Sequence, residues 1–390
     1  MIISDVKARI IKDSRGADTI AVSVNNCEEA SAPNGKSTGD YETPSYYKSL
    51  KWCVDFLNAF CDEISVEKFE DLIKVEKTIC KNTGLKNARE FGANSLYAFE
   101  SAVLKALASE TGKELWQVVS LKNKKIPFPI GNVVGGGLHS ASIPIKPNFQ
   151  EFLVIPRASR FSDNLKIMQF VYFAVGKRLG VSLVNDEGAW LVACEDENIL
   201  DALNCVVKEA EKKFKCEIGI GIDAACSTLF HDEVYKYNAK SLKPDMQLAF
   251  FEQLVPNYDL FYVEDAFEQR DFKRFASLNK VVGKNCLVVG DDLIATQYNR
   301  LVGAIRTRSL NAVIVKPNQN GSLLELKRIF DLCRAHKIKT ILSHRSGETL
   351  DSALADYAVS FGADFIKCGV ATPWREVKLK RLIDIEKRLA

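Results

Sequence analysis

Two short runs of alternating apolar residues open the chain and predict a β-hairpin. They lie within residues 2–25, as IISDVKARII and TIAVSV, and DSRG at 13–16 supplies residues that favour a turn between them. A polar segment follows at 28–45 and is rich in glycine, serine, proline and acidic residues. Because this segment is too long for a simple turn, we expect it to be a mobile functional loop.

From about residue 46 to residue 120 the apolar positions recur at steps of three and four, which predicts helices. The clearest series consists of Leu96, Phe99, Val103 and Ala106. Strands followed by helices over this length predict an α+β domain, and we place its bounds at 1–124.

Beyond residue 124 short apolar runs alternate with amphipathic helices, which is the pattern of a parallel sheet wound with helices. One predicted helix runs from about Ser162 to Lys177 with Gly180 as its stop signal, and another spans about Asn198 to Phe214. Their inward positions are Leu165, Met168, Val171 and Val175 in the first and Leu203, Val207, Ala210 and Phe214 in the second. We assign residues 125–390 to this second, larger domain.

Six apolar runs of the second domain end in an ionisable residue and recur every 23 to 41 residues. The six residues are Asp223, Glu264, Asp291, Lys316, His344 and Lys367. One strand, one helix and two loops of a closed α/β barrel use about this length, and barrel active sites lie at the C-terminal ends of the strands. A single residue of this kind could be a chance surface charge. Six of them at this regular spacing predict that all six side chains lie at one mouth of the barrel.

The three acidic strand ends predict a metal site. Asp223, Glu264 and Asp291 offer only hard carboxylate oxygens, which suit Mg²⁺ better than zinc. An alternative is that these carboxylates pair with the lysines of neighbouring strands as a structural ion network, because buried charges must find partners.

Cations on the neighbouring strands predict an anionic substrate. Lys316, Lys367 and Arg345 place positive charge beside the expected metal, which suits a ligand with both a carboxylate and a phosphate. A lysine held beside a metal and other cations loses its proton more readily than in water and can act as a general base.

Composition and charge place the chain among ordinary proteins of the cytoplasm. Its 390 residues exceed the length of about 250 typical of a single barrel domain, which supports two domains. The net charge of +3 argues against a nucleic-acid partner, and no apolar run approaches the ~18 residues of a membrane span. Eleven scattered cysteines without a CxxC pair predict reduced thiols, so we expect a cytoplasmic location.

Short motifs in a fixed order resemble the enolase family over nearly the whole chain. They are DSRG at 13–16, GKSTG at 35–39, GGGLH at 135–139, QEF at 150–152, DEG at 186–188, IDAA at 222–225, VED at 263–265, GDDL at 290–293, KPNQ at 316–319 and SHRSGET at 343–349. The resemblance implies an N-terminal α+β capping domain on a C-terminal modified (β/α)8 barrel. In that family the opening units of the barrel depart from regular βα alternation.

The resemblance also implies an activity, a cofactor and partners. The activity is the Mg²⁺-dependent, reversible dehydration of 2-phosphoglycerate to phosphoenolpyruvate in glycolysis and gluconeogenesis, catalysed by a hydro-lyase. Two Mg²⁺ ions are implied, one held by Asp223, Glu264 and Asp291 and a second, substrate-dependent ion contacted by Ser37. The implied partner is a small phosphorylated carboxylate, in a homo-oligomer that is a dimer or higher, with no nucleic acid and no membrane.

Carried over position by position, the resemblance assigns roles to further residues. It implies Lys316 as the base at C2, and Glu187 with Glu151 as the acidic pair that assists departure of the C3 hydroxyl. His139 would lie near the phosphoryl end and the leaving group. Substrate contacts are implied for Gln150, His344, Arg345, Ser346 and Lys367, with Arg345 and Ser346 at the phosphate and Lys367 at the carboxylate.

Each loop position also has a purely structural interpretation. Ser37 and Glu187 could be turn residues, and His139 could be a solvated loop histidine. The chain departs from the family at Lys36, where a small residue is usual, in GGGLHS and DEGAW, and in CGVATPWRE after Lys367. The alternatives to an active enolase are another superfamily enzyme acting on a different carboxylate and a weakly catalytic enolase-like binding protein.

Overall fold

The N-terminal part of the computed structural model combines small antiparallel sheets with helices. The structure describes residues 1–36, 39–140 and 146–389, and describes His139 by its backbone only. The strands are β1 (Ile2–Ile3), β2 (Val6–Lys12), β3 (Asp18–Val24), β4 (Ala30–Ser31) and β5 (Ile64–Ser65). The helices are α1 (Leu50–Asn58), α2 (Leu72–Thr83), α3 (Ala93–Thr111) and α4 (Leu115–Val119).

The predicted hairpin and helices are confirmed. β2 and β3 pair antiparallel, and the Asp13 carboxylate closes their turn by accepting N–H groups of Arg15 and Ala17 at 2.8 and 2.9 Å. Gly16 supplies the positive φ of +79° that this turn requires. In α3 the whole predicted apolar series is buried, so the helix is fixed by its packing.

The polar segment at 28–45 connects this sheet with the mouth of the second domain. It contains β4, which pairs with β3, and Ser49 beyond it is the N-cap of α1. Asn34 exchanges backbone hydrogen bonds with Gly347 at 2.7 and 2.9 Å. The mobility of this loop stays a prediction, and Ser37 lies outside the described residues.

Eight strands of the described residues close into a barrel. They are β6 (Phe128–Gly135), β7 (Glu151–Pro156), β9 (Ile218–Asp223), β13 (Leu260–Glu264), β14 (Leu287–Gly290), β15 (Ala312–Val315), β16 (Lys339–Ser343) and β17 (Phe365–Lys367). Each pairs with the next in this order, and β17 returns to β6. Short strands outside the barrel are β8 (Trp190–Leu191), which extends β6, and the sheet of β10 (Phe230–His231), β11 (Val234–Lys236) and β12 (Ser241–Leu242).

The barrel departs from regular alternation at its start, as the family resemblance implied. β7 runs antiparallel to both β6 and β9, whereas the later neighbours are parallel. A separate apolar cluster drawn from seven of the strands, including Ile130, Leu153, Tyr262, Ile314 and Ile341, fills the interior. The barrel is therefore a packed core, and a site can form only at its ends.

Helices surround the barrel. They are α5 (Phe161–Leu179), α6 (Asp196–Phe214), α7 (Pro244–Asn257), α8 (Phe272–Val282), α9 (Tyr298–Thr307), α10 (Pro317–Asn320), α11 (Leu323–Ala335), α12 (Ala353–Phe361) and α13 (Pro373–Leu389). α5 ends at Gly180 with φ of +65°, as predicted. Of the predicted inward residues, Leu165 and Phe214 are half-buried and pack against the core, and the Phe214 ring also contacts the Phe170 ring. Within the described ranges, none of the helices has both the length and the apolar character to cross a membrane. The domain boundary at 124 and 125 stays a prediction.

Candidate active site

All six ionisable strand ends lie at one mouth of the barrel, as the spacing predicted. Asp223, Glu264 and Lys367 are the last residues of β9, β13 and β17, and the other three directly follow their strands. The antiparallel β7 adds a seventh, because its first residue, Glu151, pairs in register with Asp223. A strand that runs the opposite way brings its N-terminal end to this mouth.

Lys367 links three carboxylates at the mouth. Its Nζ lies 3.0 Å from Asp223 Oδ2, 2.7 Å from Glu264 Oε2 and 2.7 Å from Glu151 Oε2. Burial favours the neutral amine, but these carboxylates outweigh it and raise the pKa of Lys367 well above its usual range. Lys367 is therefore a fixed cation.

Lys316 forms a second ion pair in the same group. Its ammonium donates to Asp291 Oδ2, and Gln319 Nε2 lies 3.4 Å from the other oxygen of that carboxylate. Burial opposes ionisation of Asp291, but Lys316 outweighs it and lowers the pKa of Asp291. The buried Asp265 holds this segment in place by accepting the N–H groups of Asp291 and Asp292 at 3.0 and 2.8 Å.

The carboxylates of this mouth fit a hard divalent cation. Glu264 is fully buried, and its Oε1 has no hydrogen-bond partner among the described residues. Burial and the nearby Asp223 raise the pKa of Glu264 well above its usual range, so the ionised form needs more positive charge nearby. Oxygen ligands of this kind suit Mg²⁺. We call Asp223, Glu264, Asp291, Lys316 and Lys367 the strand-end group.

The contacts within the strand-end group also match the alternative of a structural ion network, since both lysines bind its carboxylates. Groups of three ligand atoms within 4.8 Å of one another occur at two places among the described residues, and neither group is the predicted set of Asp223, Glu264 and Asp291. One place joins Asp265, Asp291 and Asp292, and the other joins Glu151, Glu187 and His344. Asp291 belongs to both the strand-end group and the first of these clusters.

Glu187 reaches the mouth from the loop between α5 and α6. Asn185 shapes the loop, since its side-chain oxygen accepts N–H groups of Glu187 and Ala189 at 2.9 and 3.0 Å, and Gly188 follows with φ of +84°. The Glu187 side chain is buried and lies close to Glu151 and His344. The structure thus brings together the two predicted acids.

Arg345 is held by a residue that the sequence did not single out. Its Nη1 and Nη2 donate to the Glu42 carboxylate at 3.0 Å, and Nη1 also lies 3.3 Å from Asn318 Oδ1. The Arg345 and Glu42 side chains are only 4% and 7% exposed, which makes this a buried pair between the polar loop and the barrel. None of these contacts uses Nε of Arg345.

Two further cations approach from the N-terminal part. Arg15, in the hairpin turn, places Nη1 3.4 Å from Ser346 Oγ and Nη2 3.3 Å from the Gly35 carbonyl. Lys36 Nζ lies 3.5 Å from Asp186 Oδ2, beside Glu187. We call Lys36, Glu42, Arg345 and Ser346 the loop group.

One cavity collects most of the predicted residues. It is lined by Gly35, Lys36, Gln150, Glu151, Glu187, Asp223, Lys316, Ser343, His344, Arg345, Ser346 and Lys367. Glu264 and Asp291 adjoin it through their bonds to Lys367 and Lys316. Ser37 lies outside the described residues. His139 lies in the short 3-10 turn Gly137–Ser140, and its side chain is not described.

Sequence reasoning missed Glu42 and Arg375. Glu42 lies in the polar loop that we expected to be functional, and its acidic side chain in that loop was the signal that could have identified it as a site residue. Arg375 lies in the segment after Lys367 where the chain departs from the family, and it is fully buried against His344. No local pattern identifies the partner of either residue.

The fold and the mouth define a class of protein, a capped (β/α)8-type barrel with acids and cations collected at the C-terminal ends of its strands. Residues 3–119 match the family model described as enolase, N-terminal domain, and residues 123–390 match enolase, C-terminal TIM barrel domain. The chain belongs to the enolase family, a family of hydro-lyases. This confirms the family and the fold that the motifs predicted.

Curated relatives named enolase match over nearly the full length. The chain is 34% identical to enolase of Natronomonas pharaonis, with 99% of both chains covered. It is 35% identical to enolase of Archaeoglobus fulgidus, with 99% of this chain and 97% of the relative covered. For enolase of Thermoplasma acidophilum the identity is 33%, and the coverage is 99% and 98%.

Proposed function

We propose that this chain catalyses the Mg²⁺-dependent, reversible dehydration of 2-phosphoglycerate to phosphoenolpyruvate. The observation that carries the proposal is one cavity lined by a lysine, an acid pair and an arginine beside buried carboxylates. A β-elimination needs a base for the C2 proton, an acid for the C3 hydroxyl and stabilisation of the negative charge that develops between these steps.

Lys316 is the proposed base. Burial favours its neutral form, but Asp291 outweighs burial and raises the pKa of Lys316, so the lysine keeps its proton while that pair lasts. With Asp291 engaged as a Mg²⁺ ligand, its charge would be shared with the ion and would stabilise the ammonium group less. Arg345 and Lys367 already act to lower the Lys316 pKa, which favours the free amine needed to take the proton.

Glu187 is the proposed acid, with Glu151 as its partner. Their oxygens lie within 4.8 Å of each other in a buried site, where two carboxylates do not readily ionise together. Glu151 is bound by Lys367 at 2.7 Å, whereas Arg375 lies 4.0 Å from Glu187. We assign Glu187 as the acid for the leaving hydroxyl, with Glu151 as its partner.

Asp223, Glu264 and Asp291 would hold the first Mg²⁺, and Ser37 would contact a second ion that arrives with the substrate. Bound Mg²⁺ supplies positive charge that stabilises the intermediate lacking the C2 proton. Glu264 Oε1, which is buried and has no hydrogen-bond partner among the residues that the structure describes, supports this assignment over a purely structural ion network.

Arg345 and Ser346 would bind the phosphate. Glu42 and Asn318 hold Nη1 and Nη2 of Arg345, which leaves the Nε edge for an approaching anion. Gln150 and His344 line the same cavity, Lys367 would meet the substrate carboxylate, and His139 is proposed near the leaving group.

The test is the ultraviolet absorbance of phosphoenolpyruvate formed from 2-phosphoglycerate in the presence of Mg²⁺. Wild-type chain should form product, and Lys316→Ala should not, whereas Lys327→Ala, at an exposed ion pair on α11, should match wild type. No product from wild type, with other 2-hydroxy or phosphorylated carboxylates then consumed, would favour another superfamily activity. No turnover of any of them would favour a binding protein.

The predicted dimer or higher homo-oligomer and the predicted cytoplasmic location remain part of this proposal. Size-exclusion chromatography with light scattering measures the assembly state directly. A monomeric mass at micromolar concentration would contradict the predicted oligomer.

A further inference from the structure

Arg375 is a fully buried guanidinium beside the active-site cavity. It lies in the first turn of α13, and it is one of the largest side chains in the described residues with no exposed surface. Gly369 makes room for it, since a Cβ at that position would lie 2.6 Å from Arg375 Cδ. A buried charge is costly unless its hydrogen bonds are satisfied, so its partners indicate why it is there.

Arg375 hydrogen-bonds to residues of the active-site loop that follows β16 and to a residue just before its own helix, α13. Nη2 donates to the carbonyls of Ser346 and Arg345 at 3.0 and 3.4 Å, and Nη1 donates to Thr372 Oγ1 at 3.2 Å. Nε donates to His344 Nδ1 at 3.1 Å. The guanidinium therefore supports the backbone of the loop while it contacts the imidazole directly.

The contact with Nδ1 determines the protonation state of His344. An arginine has only N–H donors and stays charged, so the ring nitrogen facing it must be an acceptor without a proton. The proton of a neutral imidazole is then on Nε2. Burial and the charge of Arg375 lower the pKa of His344 well below its usual range, which agrees with a neutral ring.

Other charged groups around His344 include Glu187, which favours the imidazolium, and Lys367 and Lys316, which oppose it. A ring nitrogen of His344 lies within 4.8 Å of carboxylate oxygens of Glu151 and Glu187. Because Arg375 occupies Nδ1, the Nε2–H edge is the one left to donate toward the acid pair or the substrate.

We infer that Arg375 is a positioning residue that fixes His344 as the neutral Nε2–H tautomer, so that His344 acts in this site as a hydrogen-bond donor and not as a cation or a base. The inference rests on the proposed function for its effect on turnover. The tautomer itself is a property of the resting protein and can be measured without substrate.

The experiment is a long-range proton–nitrogen NMR spectrum of protein with isotopically labelled imidazole nitrogens. The chain has 4 histidines, and the signals missing from a His344→Gln sample identify those of His344. The spectrum is recorded at about pH 6, where an unperturbed histidine with a pKa of about 6.5 is mostly charged. We expect a neutral His344 with its proton on Nε2 in the wild type.

Arg375→Met keeps most of the side-chain volume and removes every donor, so the Nε2–H pattern of His344 should be lost. Arg375→Lys retains the charge and should give an intermediate spectrum. In the proposed reaction we expect kcat to fall about 10-fold or more in Arg375→Met, with partial recovery in Arg375→Lys.

Arg381→Lys is the matched control, because Arg381 lies on the same helix but pairs with Asp356 and Glu114. Its His344 spectrum should equal that of wild type.

A proton on Nδ1 or a charged ring in the wild type overturns the inference, and so does a wild-type His344 spectrum in folded Arg375→Met. Should Arg375→Met fail to fold, the wild-type spectrum and Arg375→Lys still decide the question. A wild type that shows the Nε2–H tautomer but forms no phosphoenolpyruvate would refute the proposed function and leave this assignment intact.

Discussion

The strand-end group and the loop group lie at one cavity, but different interactions hold them in place. The strand-end residues belong to, or directly follow, paired strands, as in the registers that align Glu264 with Asp223 and Ser343 with Lys367. The loop group depends on side-chain contacts across the two domains. Glu42 comes from the polar loop and reaches Arg345 in the barrel, 303 residues further along the chain.

Because different interactions hold the two groups, we expect them to contribute different properties to the site. The hydrogen-bonded barrel fixes the positions of the strand-end carboxylates and lysines whether or not the N-terminal part is docked. The loop group is complete only when the polar loop rests on the mouth, where Asn34 and Gly347 exchange backbone hydrogen bonds. We therefore expect changes in the strand-end group to abolish chemistry, and changes in the loop group to alter substrate binding and closure.

Removal of metal should have the largest effect. If the strand-end carboxylates are Mg²⁺ ligands, excess EDTA abolishes phosphoenolpyruvate formation and added Mg²⁺ restores it. Mg²⁺ should also raise the melting temperature of the protein, because a ligand that binds only the folded state stabilises it. Full activity in excess EDTA would mean that the strand-end group is a structural ion network held by Lys316 and Lys367.

Substitution of the base and of the acid should each be severe but should affect different bonds. Lys316→Ala should lose at least ~100-fold in both dehydration and exchange of the C2 proton with deuterated solvent. Glu187→Gln should lose dehydration and keep detectable exchange, since the intermediate can form and return. Exchange is followed by NMR of 2-phosphoglycerate in deuterated buffer.

Lys327→Ala and Lys380→Ala, at exposed ion pairs on α11 and α13, serve as controls for charge loss alone. The opposite result, with exchange kept in Lys316→Ala and lost in Glu187→Gln, would reverse the two roles. The strand-end lysine would then be only an electrostatic partner of Asp291.

The same contrast explains what the sequence could predict. Asp223, Glu264 and Asp291 each end an apolar run, and the local period of such a run predicts a strand and therefore its end. Parallel strands then bring these ends together without further information. Glu151 was assigned from the family motif alone, because its strand runs antiparallel and its position at the mouth follows from pairing with β9.

The loop contacts could not be predicted because they are not local. The Glu42 carboxylate has an ordinary sequence context, and only the docked fold shows that Arg345 is its partner. Likewise, the segment after Lys367 was recognised as different from the family, but the contact between Arg375 and His344 depends on how α13 begins. Ser37 and the His139 side chain stay predictions from the motifs.

Neutralising Glu42 should have an intermediate effect and sharpens the comparison. Glu42→Gln keeps the size of the side chain but weakens a buried, charge-assisted pair, so Arg345 is less firmly oriented for phosphate. We expect KM for 2-phosphoglycerate to rise about 10-fold, equivalent to about 1.4 kcal/mol of binding, with a smaller change in kcat. Asp40→Asn, on the same loop and paired with Arg270 at the surface, is the control and should leave KM unchanged.

The sign of the change in KM distinguishes two roles for Glu42. A lower KM in Glu42→Gln would show that the carboxylate competes with phosphate for Arg345 instead of positioning it. The loop group would then restrain the resting site and not prepare it for substrate.

The smallest effect should come from Lys36, the cation at a loop position where the family usually has a small residue. Its ammonium lies 3.5 Å from Asp186, and the two side chains are 36% and 28% exposed. Exposed ion pairs contribute only about 0.2–1 kcal/mol, so Lys36→Ala should change kcat or KM by no more than about 5-fold. Asp186→Ala should give a similar change. The double variant should equal either single variant, because each single substitution already removes the same contact between the polar loop and the Glu187 loop.

The control is Lys51→Ala, at a more exposed pair on α1, which should leave both constants at wild-type values. Equal constants in Lys36→Ala and wild type would mean that this lysine does not take part in closure. A loss of activity well beyond 5-fold in Lys36→Ala, without a similar loss in Asp186→Ala, would instead mean that the Lys36 ammonium contacts the substrate itself.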